Sequence, residues 1–84
     1  MELNITPAEE TFCMYKLGLE GSFTTSLINT IFKGDVINRS KIALGFPEIV
    51  EVCNKFNFEN GYWESLVEKW NNKHINNQDF KLNI

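Results

Sequence analysis

Cysteine, histidine and arginine are nearly missing from this chain. Its 84 residues include two cysteines, Cys13 and Cys53, so no disulfide framework is expected. Both lie among apolar residues in runs with helical spacing, which reads as two buried thiols acting as small hydrophobes. His74 is the single histidine, and no two ligand-type residues have the close spacing that zinc sites show. Neither a metal nor another cofactor is expected. A cysteine–histidine nucleophile would have to join His74 to a buried thiol, which keeps a high pKa and stays inert. No serine sits in a nucleophile-elbow pattern. The carboxylate pairs Glu9/Glu10, Glu48/Glu51 and Glu64/Glu68 all fall on faces expected to be solvated, without a cleft to shift their pKa values. An enzyme is therefore not expected.

Long apolar runs are lacking too: none approaches the ~20 residues of a membrane helix. The opening MELNITPAEE has neither the basic nor the apolar region of a signal peptide. The simplest placement is a reducing cytoplasm. Gly18-Leu19-Glu20-Gly21-Ser22 lacks the Gly-Lys-Ser/Thr ending of a phosphate loop, and Glu20 would oppose an anion. It reads as a helix stop. Eight basic against 11 acidic side chains give a net charge of -3, too mild for a general phosphate-binding surface or a nucleic-acid mimic.

What the chain does have is apolar bulk. Hydrophobic residues make up 43% and aromatics 13%, enough to offset the thin core of a small domain. Helix signals punctuate it. Thr6-Pro7-Ala8-Glu9 is a capping box with proline in the first turn. It predicts a first helix from Pro7 to about Leu19, apolar over most of its circumference. Ser22 is expected to cap a second helix, about Phe23 to Lys33, which Gly34 stops. Asp35 caps a third, Val36 to Leu44, with Val36, Ile37, Ser40, Ala43 and Leu44 inward and Asn38, Arg39, Lys41 and Ile42 outward or flanking. Gly45, in a left-handed conformation, would end that helix. Phe46 would plug the junction from inside, and Pro47 would open the fourth, to about Phe56. Phe58-Glu59-Asn60-Gly61 reads as a turn before the fifth, Tyr62 to about Lys73. Phe80, Leu82 and Ile84 alternate with polar residues in an Asn-rich tail that is either frayed or docked extended on the bundle. The expected fold is all-α: a compact bundle of about five short helices over residues 1–75, with a flexible or docked polar tail over residues 76–84.

A small helical domain invites comparison with a helix-turn-helix. The recognition helix would be Pro47 to Phe56, but it presents Glu48 and Glu51 outward with only Lys55 as a base. Two carboxylates there repel the DNA backbone, so nucleic acid is an unlikely partner. The remaining signal is an interaction surface. Asn38, Arg39, Lys41 and Ile42 form a partner-binding candidate, because Ile42 is apolar on a wet face beside two bases. Cys13, Met14 and Leu17 form a second apolar face of the first helix. That face would serve self-association in a homodimer, unless the five-helix packing buries this helix all round.

The central half of the chain carries a further pattern. Phe23, Leu27, Ile31, Phe32 and Lys33 are followed by Asn38, Lys41, Ile42, Ala43, a Gly45-Phe46-Pro47-Glu48 segment, Val50 and Glu51, then Gly61-Tyr62-Trp63-Glu64. This resembles a group of small phage and prophage proteins of unassigned function. The resemblance implies a bacterial-host cytoplasm and transfers no catalytic residue. The resulting expectation is a non-enzymatic module that binds a host or phage protein, for example to modulate or inhibit a host defence. The alternative is a small dimeric DNA-associated regulatory domain of a mobile element.

Overall fold

The computed structural model describes residues 4–83 and contains five α-helices. They are α1 (Pro7–Lys16), α2 (Ser22–Lys33), α3 (Val36–Ala43), α4 (Pro47–Phe58) and α5 (Tyr62–Lys73), followed by a 3-10 turn at Gln78–Phe80. The all-α bundle expected from the sequence is what forms. Ile84, one of the alternating tail residues, lies outside the described residues.

Local chemistry explains most boundaries. At α1 the Glu9 N–H donates to Thr6 Oγ1 (3.1 Å) and the Thr6 N–H donates to Glu9 Oε1 (2.9 Å), a complete capping box. Gly18, at φ +75°, turns the chain away after α1, earlier than the expected Leu19. The cap of α2 is Gly21 rather than Ser22, which is already the first helical residue and bonds nothing as a cap. Asp35 caps α3 as expected, accepting from the Asn38 N–H at 2.8 Å. Gly45 does not take the left-handed conformation; the Gly45 and Phe46 N–H groups both donate to the Ile42 carbonyl and close α3 without it. Gly61, at φ +82°, is left-handed like Gly18 and starts α5. Helix α4 runs through Phe58, where the sequence suggested a turn.

Helix α4 is the hub, packing against all four other helices. Its Ile49, Val50, Val52 and Cys53 meet Phe12 and Cys13 of α1, Ile28 and Ile31 of α2, and Leu66, Val67 and Trp70 of α5 in one core. Phe12 has no exposed surface, and its ring lies 5.2 Å from Phe56, 5.9 Å from Trp63 and 6.1 Å from Phe32. Helix α3 supplies no fully buried residue. The tail docks. The Trp70 Nε1–H donates to the Phe80 carbonyl (2.6 Å), and Asn71 exchanges two hydrogen bonds with the Leu82 backbone (2.8 and 2.9 Å). Asn71 is therefore the clip that holds Leu82 in the core.

One carboxylate is not on a wet face as expected: Glu9 is 7% exposed. Burial pushes its pKa up. Hydrogen bonds from the Thr6 backbone and the Tyr62 hydroxyl (2.7 Å) and the charge of Lys69 outweigh that and hold it below the usual value of 4.5. The same contact, with burial, raises the Tyr62 phenol. A depressed carboxylate stabilises the fold above the unfolded-state pKa, and that stability is lost as pH falls through the lower folded-state pKa. Acid unfolding should therefore flatten below pH 4.5 in Glu9→Gln relative to the wild type, as read by urea midpoints at successive pH values. Identical pH slopes in the two proteins would contradict this assignment.

Candidate functional site

The sequence places the apolar stripe of α3 toward the core; the structure turns it outward. At about 100° per residue, Arg39, Ile42 and Ala43 share one side and Val36, Ile37, Ser40 and Leu44 the other. The first side faces the bundle. Ile42 and Ala43 are half-buried against the core, so the outward placement of Ile42 is corrected. Arg39 is the reason for the rotation. Its Nε–H donates to the Ile31 carbonyl (3.2 Å), in the last turn of α2, which also accepts the Gly34 N–H (3.1 Å). Its Nη1 donates to Asn54 Oδ1 (3.4 Å), and its guanidinium lies 5.5 Å from the centre of the Phe58 ring. One side chain thus ties α3 to α2 and to α4. The same side of α3 carries Ile42 and Ala43 onto the core, so these contacts and the Arg39 bonds agree on which side faces the bundle.

Consequently Val36 is 76%, Ile37 68% and Leu44 87% exposed, with Phe58 across the groove at 72%. The groove between α3 and α4 has a volume of about 280 Å³ and is lined by Val36, Arg39, Ser40, Ala43, Val50, Asn54 and Phe58. Ser40 adds no unpaired donor to this face, since its hydroxyl donates to the Val36 carbonyl at 2.9 Å. On the other flank of α3, Phe46 does not plug the junction from inside. It is 41% exposed and packs at 6.2 Å on Phe23.

The residues singled out in the sequence fare unequally. Asn38 and Lys41 are exposed on α3, while Arg39 and Ile42 are committed to holding that helix down. Cys13 has no exposed surface, and Met14 and Leu17 pack on the core, so they do not make a free self-association face. Helix α1 buries Glu9, Phe12 and Cys13 and half-buries five more of its residues, while Pro7 and Lys16 are exposed. Sequence reasoning missed Val36, Ile37, Leu44 and Phe58 as surface groups. The available signal was Arg39, set at helical spacing from Ile42 and Ala43 so that either side of α3 could face inward.

Other chemistry is sparse. Burial pushes the Cys13 thiol up to about 12 and the Cys53 thiol up to about 11, which leaves both protonated at neutral pH. Among the described residues no cluster of three histidine, cysteine, aspartate or glutamate side chains is placed to hold a metal ion. Among them, too, no helix is long and apolar enough to cross a membrane. The outward side of α4 carries Glu48 and Glu51, and its inward side is locked in the core, so it is not a free recognition helix. Compared with models of protein families, with curated proteins and with solved structures, the chain matches none.

Proposed function

We propose that this chain is a non-enzymatic protein-interaction module whose binding surface is the outward face of α3 with the adjoining groove of α4. One observation carries the reading. Val36, Ile37 and Leu44 stand exposed along one side of α3, and Phe58 of α4 is exposed across the groove from Val36. Large exposed apolar patches are often protein-binding sites. The partner class expected from the sequence resemblance is a host or phage protein met in a bacterial cytoplasm, and modulation of a host defence is one form the binding would take. That setting rests on the resemblance alone.

The test is a pulldown with the tagged full chain from lysate of a bacterial host, with nuclease, at low and high salt. A specific protein should be retained under both conditions, lost with Val36→Asp and with Phe58→Asp, and kept with Glu64→Gln on the far side of the bundle. Capture that the patch substitutions leave unchanged contradicts the surface. Recovery of nucleic acid alone, lost with nuclease or salt, would move the function to the DNA-associated alternative, since phosphate contacts weaken steeply with salt.

A further inference from the structure

A second groove runs between the start of α1 and the start of α4 and has a volume of about 540 Å³. Pro7 and Ala8 of α1, with Phe46 and Ile49, give it an apolar lining, and among the described residues its charged lining side chains are Glu48 and Glu51. Both are exposed. Residues three apart on a helix are neighbours, with Cβ atoms ~5–6 Å apart, so the two carboxylates can meet one group. Among the described residues neither forms an ion pair. The base one turn along, Lys55, holds its ammonium 5.7 Å from the centre of the Tyr62 ring instead. Two full negative charges exceed the roughly +0.5 charge of the α4 N-terminus, so the groove favours a cation.

We infer that this groove receives an arginine side chain of a partner protein, a contact separate from the α3 face. A guanidinium carries five N–H donors in a flat fork, enough to serve both carboxylates at once. Its apolar stem can lie along Pro7 and Ala8 while its plane stacks on the Phe46 ring, which is 41% exposed. A lysine ammonium is a compact point charge without that plane. A divalent cation needs more oxygen ligands than a pair of carboxylates supplies, and among the described residues no third histidine, cysteine, aspartate or glutamate joins these two. Arginine is also a charged residue enriched at protein interfaces, which makes a protein the source of the cation.

The experiment is an NMR titration of the isotope-labelled full chain with acetyl-arginine amide. The backbone amides of Ala8, Thr11, Phe46, Glu48 and Glu51 should shift saturably, with a dissociation constant on the order of 1 mM for so small a probe. The citrulline analogue keeps the shape without the charge and should not bind. Glu48→Gln/Glu51→Gln changes only exposed side chains, so its spectrum should keep the wild-type pattern while binding weakens about 10-fold. Glu64→Gln/Glu68→Gln removes the same charge from α5 and should change nothing, and neither should Phe58→Asp. Equal shifts around Glu64 and Glu68 would mean general attraction to an acidic protein and overturn the site. So would binding of the citrulline analogue, unchanged binding by Glu48→Gln/Glu51→Gln, or no shift at all. An equally tight lysine amide overturns the choice of arginine, and tighter binding of free arginine than of the capped residue overturns the protein source. Loss of binding in Phe58→Asp would move the probe to the α3–α4 groove, so this site would fail while the α3 face stands.

Discussion

Trp70→Ala should destabilise the protein by about 3–5 kcal/mol, most of what a domain of this size has to lose. Trp70 is 2% exposed and is the largest side chain in the core. Its ring packs 4.1 Å from His74 and 5.9 Å from Phe80, and its Nε1–H donates to the Phe80 carbonyl. Truncation would open a cavity and release the tail together. For a domain of 60–100 residues each kcal/mol moves Tm by about 4–8 °C, so a fall of about 12–40 °C is expected in a thermal melt. Trp70→Phe separates the two roles. It keeps most of the bulk and loses the donor, for an expected loss of about 1 kcal/mol. Hydrogen exchange at the Leu82 amide should quicken in Trp70→Phe well before global unfolding. Unchanged exchange there would mean that Asn71, not Trp70, holds the tail.

Phe12→Ala should lower stability by a similar amount, about 3–5 kcal/mol, for a different reason. Phe12 joins three other helices through the rings of Phe32, Phe56 and Trp63, at tilted and edge-on angles that add to the gain from burial alone. Phe58→Ala makes the comparison decisive. Phe58 is just as large but 72% exposed, so its loss should change the unfolding free energy, read by urea denaturation, by less than about 1 kcal/mol. It should instead weaken whatever binds the α3–α4 face. Equal destabilisation by the two substitutions would mean that Phe58 is buried in the folded protein, contrary to the exposed groove.

Much of the fold is written locally, and those parts can be read from the sequence. The Thr6–Glu9 capping box, Pro7, Asp35 and Pro47 each act on backbone groups within a few residues, so they set helix starts whatever the rest of the chain does. The stripes of α4 and α5 are unambiguous in period and contain no competing polar residue with a strong claim on the interior. The buried thiols follow from the same pattern. Four features depend on distant partners. Glu9 is buried because the hydroxyl of Tyr62 reaches it from the start of α5. The tail docks because Trp70 and Asn71 offer it a donor and a matched pair of bonds. Phe46 stays at the surface, where its ring meets that of the exposed Phe23 of α2. The rotation of α3 matters most for function. Its hydrophobic period alone points Val36, Ile37 and Leu44 inward, and only the position of the Ile31 carbonyl and of Asn54 gives Arg39 a reason to face the bundle instead. The sequence by itself determined that there would be five amphipathic helices and where most of them begin. Only the tertiary structure decided which face of α3 meets water, because a helical period fixes which residues share a side and not which side has somewhere to go.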